Sequence, residues 1–313
     1  MKVLVTGGAG FIGSHLVEEL HRRAAVRVLD NLHSGYRHNI EGFDHEFIEA
    51  SITDRDAVRR AMKGVDYVFH LAALISVPES MERPIDYVNV NSVGTLVVLE
   101  EAERAGVKKL VFSSSAAVYG DNPEVPKTES MIPEPQSAYA VTKLDGEHYC
   151  ALFDGRSAPR GGLGSGLRTA CVRYFNVFGP RQDPRSQYAA AIPIFVDRAL
   201  AGETVTIFGR GDQTRDFVFV KDVAAANIAI AQKADAAGVF NVGGASSITI
   251  GRLAEKIIAL TGSDSAVAHA PPRAGDVRHS LAAIDRLEET GFRLTGDFDR
   301  DLKATVEWFA SRR

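Results

Sequence analysis

Thr6-Gly7-Gly8-Ala9-Gly10-Phe11-Ile12-Gly13 follows the apolar run Val3-Leu4-Val5 and leads into Leu16, Val17 and Leu20, which recur at helical spacing. Two glycine frames overlap here, Gly8-x-Gly10-x-x-Gly13 and Gly7-x-x-Gly10-x-x-Gly13. A strand, a glycine turn and a helix in succession can cradle a pyrophosphate. The glycines let the backbone turn tightly and come close, and the phosphate charge sits at the positive end of the helix. The next strand, Val26-Arg27-Val28-Leu29, ends at Asp30, twenty residues past Gly10. An acid at that distance accepts hydrogen bonds from an adenosine ribose and repels a 2'-phosphate, which predicts NAD rather than NADP.

Outward from this turn, strands and helices alternate. Strands are expected at 46–49, 66–71 and 110–112. Helices are expected from Asp54 to Lys63, over 84–105 between Pro84 and Gly106, and over 138–153. The strands are rich in Val, Leu and Phe instead of alternating with polar residues, as strands buried on both faces are. The expectation is an α/β protein with a doubly wound parallel sheet. Beyond residue 175 the rhythm loosens, with strands near 204–208, 216–219 and 239–242 and helices near 188–201, 222–232, 249–261 and 299–311. Residues 1–175 are therefore predicted to form the dinucleotide-binding domain, with 222–245 returning to it, and 176–313 a smaller, mixed α/β substrate lobe. The stretch Asp154–Gly166, with five glycines, is expected to be a flexible surface loop without chemistry.

The 313 residues carry 36 Lys and Arg against 40 Asp and Glu, a net charge of -4. That balance predicts no nucleic acid and no anionic membrane as main partner. No run of eighteen apolar residues suggests a membrane span, and Met1 leads directly into a strand, so no signal peptide is expected. Cys150 and Cys171 are too few for a disulfide framework and sit in no metal-ligand spacing, so the prediction is a soluble, cytoplasmic protein with buried thiols and no metal.

Ser113-Ser114-Ser115 ends an apolar strand, and twenty-four residues past Ser115 comes Tyr139-Ala140-Val141-Thr142-Lys143. On a helix, positions i and i+4 share a face, so the Tyr139 hydroxyl and Lys143 ammonium can enter one pocket. A free phenol, with a pKa of about 10, is a poor base at neutral pH. A neighbouring ammonium and an oxidised nicotinamide would stabilise the phenolate, and a depression of about three pH units corresponds to about 4 kcal/mol. A serine at the strand end could hold the reacting hydroxyl. His70, at the end of a buried strand, reads as structural.

In its ordered motifs the chain resembles the extended short-chain dehydrogenase/reductases, and among them the UDP-glucose/UDP-N-acetylglucosamine 4-epimerases. The motifs are TGGAGFIGSHL from residue 6, HLAA at 70–73, NSVGT at 91–95 and FSSSAAVYG at 112–120. They continue with YAVTK at 139–143, RYFNVFGPRQDP at 173–184, TRDFVFVKDV at 214–223 and PPRAGD at 271–276. The resemblance implies a Rossmann-type sheet, tightly bound NAD, a UDP-sugar substrate and a homodimer built through helices 84–105 and 138–153. It implies Ser115 and Tyr139 at the sugar 4-hydroxyl with Lys143 tuning Tyr139. It places Gly7, Gly10, Phe11, Ile12 and Gly13 at the pyrophosphate, Asp30 and Asn31 at the ribose, and Ser51 and Ile52 near adenine. Leu71, Ala72, Ala73 and Asn91 would complete the cofactor wall. Asn176 would meet a diphosphate or sugar oxygen, Arg215 and Arg273 the substrate diphosphate, and Asp276 the uridine ribose; guanidinium forks suit phosphate oxygens.

Departures from the family pattern carry information of their own. Ser51 stands where an Asp is usual, Ala117 where some relatives carry a hydroxyl, and Ile75 where some carry a lysine. Ser280 matches a gate position at which Tyr restricts the pocket, so acetylated UDP-sugars are expected to be accepted beside plain ones. A UDP-glucuronate 4-epimerase would use the same base and hydride path. Sugar-nucleotide dehydratases and decarboxylases share this scaffold, but dehydratases need an acid beside the serine, where Ala116 and Ala117 stand. A non-catalytic NAD-binding scaffold is disfavoured by the intact Ser115, Tyr139 and Lys143.

Overall fold

A computed structural model of the chain describes residues 1–155, 166–184, 190–272 and 278–313. Its centre is a sheet whose first six strands in chain order are β1 (Lys2–Thr6), β2 (Ala25–Asp30), β3 (Glu46–Glu49), β4 (Tyr67–His70), β5 (Lys109–Ser115) and β6 (Arg168–Tyr174). Short ribbons follow: β7 (Asn176–Phe178), β8 (Val205–Phe208), β9 (Thr214–Arg215) and β10 (Phe217–Phe219). The chain then returns to the sheet with β11 (Gly238–Val242). The order is β11-β6-β5-β4-β1-β2-β3, and every pairing is parallel. Between β1 and β4 the winding reverses, and the ends of neighbouring strands there open the crevice that such sheets use for ligands.

Helices cover both faces: α1 (Phe11–Leu20), α2 (Arg55–Ala61), α3 (Val77–Glu82), α4 (Pro84–Tyr87), α5 (Gly94–Arg104) and α6 (Ala138–Phe153) precede β6. The lack of alternation in the strands is explained by the two cores. Val3 and Val5 pack under α1 with Val28 and Val172, whereas Leu4 faces Val68, Val98 and Leu110 on the side of α2 and α5. Each fully buried aliphatic side chain contributes about 1.5–3 kcal/mol, so both faces of the sheet must be apolar.

Several starts and stops have the chemistry expected of them. Asp54 caps α2 by accepting from Ala57 N at 3.0 Å, Ser137 caps α6 through Ala140 N at 3.1 Å, and Gly106 ends the α5 course at φ +71°. The helix expected over 84–105 is a continuous course, but a π-helical turn, Val88–Val93, separates α4 from α5. That wider turn rotates Asn91 into the protein, and such bulges cannot be read from a 3.6-residue period.

Strand β6 has no counterpart in the sequence expectations, because Arg173 interrupts its apolar run. The structure holds that arginine inside: its Nε and Nη2 donate to Glu147 of α6 at 2.8 and 2.7 Å, and its guanidinium lies 4.7 Å from the Tyr119 ring.

The later chain adds α7 (Ala191–Leu200), α8 (Val220–Gln232), β12 (Ile248–Thr249), α9 (Ile250–Thr261), β13 (Val267–Ala270), α10 (Asp285–Glu289) and α11 (Phe298–Ala310). Helix α8 packs beside α1 on the large sheet, while α7, α9 and α11 enclose a separate core of Phe178, Ile192, Phe195, Leu253 and Leu302. Most of the glycine-rich stretch, 156–165, lies outside the described residues, as do 185–189 at the start of the helix expected near 188. No helix among the described residues is long and apolar enough to cross a membrane.

Candidate active site

The glycine turn is shaped by contact. Gly7 has φ +70°, donates to Leu29 O at 2.9 Å and accepts from Gly10 N at 3.2 Å. A Cβ at Gly13 would lie 2.1 Å from Gly7 O, and one at Gly7 would lie 2.7 Å from Ala72 N. Only glycine permits this approach. The first turn of α1 has neither a side-chain cap nor an acidic residue, so its N–H groups face the cleft as anion donors. At the end of β2, buried Asp30 accepts from Ala9 N at 2.9 Å and from Leu32 N at 2.8 Å on its two oxygens. Burial pushes its pKa up, and the two N–H bonds pull it down. Each oxygen keeps a further lone pair for a hydroxyl. Donor turn, glycine cradle and acceptor carboxylate fit a dinucleotide.

These groups line one cleft of about 420 Å³. Of the residues expected at the cofactor, Gly7, Gly10, Phe11, Ile12, Gly13, Asp30, Asn31, Ser51, Ile52, Leu71, Ala72 and Ala73 line it, together with Tyr139 and Lys143. Asn91 does not. Its Oδ1 accepts from Leu74 N at 2.8 Å, and its Nδ2 donates to Leu74 O and Thr142 Oγ1 at 2.9 and 3.1 Å. Asn91 thus shapes the cleft wall by pinning residue 74 to α6. Residues missed in the sequence include His33, Ser34, Gly35, Arg83, Asp86 and Asn89. Arg83 and Asp86 pair at 2.6 Å on the entry to α4, and the Pro84 helix start beside them was the only signal.

Tyr139 and Lys143 occupy successive turns of α6, as the i, i+4 spacing predicts. The Lys143 Nζ is buried, donates to Ser113 O at 2.8 Å, and lies 5.8 Å from the Tyr139 ring centroid. Burial lowers its pKa to about 8. Burial also pushes the Tyr139 phenol up, while its hydrogen bond with Ser115 works in the other direction. Of these two effects on the phenol, desolvation is the larger. Ser115 stands at the end of β5 beside Tyr139, where its Oγ also accepts from Ala117 N at 3.1 Å. His70 is buried between Thr6 Oγ1, at 2.7 Å, and Thr95 Oγ1, at 3.0 Å, and burial drives its pKa to about 3. It stays neutral.

Asn176, Arg215 and Ser280 do not line this cleft. Asn176 donates its backbone N–H and Nδ2 to Asp216 O at 3.1 and 3.0 Å, and Arg215 Nη1 donates to Thr214 O at 2.8 Å. Ser280 N donates to Thr214 O at 3.2 Å, which puts the gate position beside β9. Arg273 and Asp276 lie outside the described residues. Cys150 and Cys171 are buried and free, and no cluster that could hold a metal occurs among the described residues.

The model of the NAD dependent epimerase/dehydratase family matches residues 3–243. The chain belongs to that family. The epimerase uses NAD as its cofactor, which agrees with the cradle and with Asp30. It is 43% identical to a solved UDP-N-acetylglucosamine 4-epimerase of Methanobrevibacter ruminantium M1 in complex with UDP-N-acetylmuramic acid. That match covers 100% of this chain and 99% of the other at a TM-score of 0.94. It is 40% identical to the UDP-glucose 4-epimerase of Thermotoga maritima, solved with UDP-glucose, covering 100% and 99% of the two chains at a TM-score of 0.93. The UDP-glucose 4-epimerase of Mycolicibacterium smegmatis is 37% identical over 320 residues, 100% of this chain and 99% of that one.

Proposed function

We propose that this epimerase inverts carbon 4 of UDP-hexoses, interconverting UDP-glucose with UDP-galactose and UDP-N-acetylglucosamine with UDP-N-acetylgalactosamine. The observation that carries the reading is that Tyr139 and Lys143 face the same cleft as the Gly7–Gly13 turn and Asp30. Bound NAD would supply a reversible hydride acceptor for carbon 4, which leaves the overall reaction redox-neutral. Tyr139 takes the proton of the 4-hydroxyl and later returns it, with Ser115 holding the same oxygen. Lys143, fixed by Ser113 O, keeps a positive charge close to the phenol. Asn176, Arg215, Arg273 and Asp276 hold the UDP moiety, which lets the flat 4-keto sugar turn over while its diphosphate stays anchored. Ser280, smaller than the Tyr of a restricted gate, leaves room for an N-acetyl group.

Incubation with UDP-glucose, UDP-N-acetylglucosamine and UDP-glucuronate in separate reactions, followed by product NMR, tests this. The 4-epimers of the first two are expected; turnover of the uronate alone would overturn it.

We further assign residues 1–175 and 222–245 to the NAD-binding domain and the remainder of 176–313 to the substrate lobe, an assignment supported by the pairing of β11 with β6. The enzyme acts as a cytoplasmic homodimer. Free buried thiols suit a reducing compartment, and Met81, Ile85, Val88 and Val141 form exposed apolar ground on α3, α4, the π-turn and α6. Light scattering should give a dimer that Ile85→Glu turns into a monomer; a monomeric wild type would remove this assignment.

A further inference from the structure

We propose that Asp216 is a positioning residue of the sugar-nucleotide site, whose buried carboxylate and carbonyl lock together the segments carrying Asn176, Arg215 and Ser280. The proposal rests on the UDP-hexose reading above. Asp216 lies between β9 and β10 and is fully buried. Its Oδ2 accepts from Ala282 N at 2.9 Å, its Oδ1 from Gly244 N at 2.5 Å, and the Ala245 N–H also bonds to the carboxylate. Its carbonyl takes both the backbone N–H and the Nδ2 of Asn176. Its chain neighbour is Arg215, and one residue further back Thr214 O takes Ser280 N. Four segments far apart in sequence thus meet at one aspartate, and three of them, those of Asn176, Arg215 and Ser280, carry a residue assigned to the UDP-sugar.

Two details show that the hub is built for a carboxylate. A Cβ on Gly243 would lie 2.8 Å from Asp216 Oδ2, and one on Gly244 would lie 2.3 Å from Phe217 O, so side-chain-free backbone is required beside it. Every group bonded to the carboxylate is an N–H donor, and only an ionised acid offers acceptors alone. Taking a carboxylate out of water is costly even with donors present, whereas an apolar residue of similar size would fill the volume and order none of these N–H groups. A small shift of the diphosphate-binding groups is enough to weaken their contacts.

The test uses the full NAD-loaded chain carrying Asp216→Asn. Steady-state kinetics give kcat and KM for UDP-glucose, and calorimetry gives the dissociation constant of UDP itself. The amide turns one acceptor into a donor aimed at an N–H, so KM and the UDP dissociation constant should both rise about tenfold, with kcat within about twofold of wild type and NAD content unchanged. A lower Tm with unchanged KM and UDP affinity, or a fall in kcat alone, would overturn the proposal. If the variant does not fold, Ala282→Pro takes its place, removing one donor and leaving the carboxylate; failure of both to fold would make Asp216 a residue of folding only. Absence of any UDP-hexose turnover by wild type would refute the parent reading, and the UDP dissociation constants would still decide this one.

Discussion

In the cofactor half, Gly7, Asp30 and His70 sit at the carboxyl ends of β1, β2 and β4, neighbours in one sheet. In the later half of the chain, Asn176 and Arg215 sit on short ribbons with Ser280 beside one of them, tied by a few backbone bonds and by one buried aspartate. The first site is rigid because the sheet cannot move without losing its two cores. The second rests on short ribbons over a smaller core and on a few hydrogen bonds, and changes there should alter selectivity and affinity before they alter the fold.

The largest effect expected is from Gly13→Ala. Its Cβ would meet Gly7 O at 2.1 Å, so the turn must open. The protein should purify without NAD, by absorbance and extraction, and without activity; a variant that retained NAD would break the contrast at its rigid end. Next comes Tyr139→Phe, which keeps the cradle and removes the proton acceptor. Turnover should drop on the order of 10³-fold, with NAD content and UDP affinity retained. Unchanged turnover would remove Tyr139 from the chemistry.

Smaller still is Ser280→Tyr, which should lower kcat/KM for UDP-N-acetylglucosamine by at least about tenfold while sparing UDP-glucose. An equal loss on both sugars would mean that position 280 is not a gate. The mildest effect is on stability against pH. Burial holds His15 at about 4 and His70 at about 3, both below the ordinary 6.5. The unfolded chain then takes up protons that the folded one refuses, so their contribution is complete above about 6.5 and is lost as pH falls through about 4 for His15 and about 3 for His70. Thermal scans should show Tm declining across that window, by at most about 1.4 kcal/mol per pH unit for each group. His15→Gln should flatten the slope, and an unchanged slope would exclude His15 from it.

The helix of Tyr139 and Lys143 was legible to the residue, since Ser137 caps it and the i, i+4 spacing needs only local geometry. The cleft wall at Leu74 was legible in part: Asn91 could be singled out, but its task depends on a π-turn that no apolar period announces. Strand β6 was hidden because its arginine is neutralised by Glu147, twenty-six residues away. The raised Tyr139 phenol was likewise hidden, because desolvation is set by everything packed around a group and not by its neighbours in the chain.

By itself the sequence determined the parallel sheet, the dinucleotide turn and the helix that carries Tyr139 and Lys143, because glycine spacing, apolar runs and helical periodicity act over a few residues. Only the tertiary structure decided that Asp216 gathers Asn176, Arg215 and the Ser280 segment, because a buried carboxylate finds its donors wherever the fold brings backbone N–H groups to it.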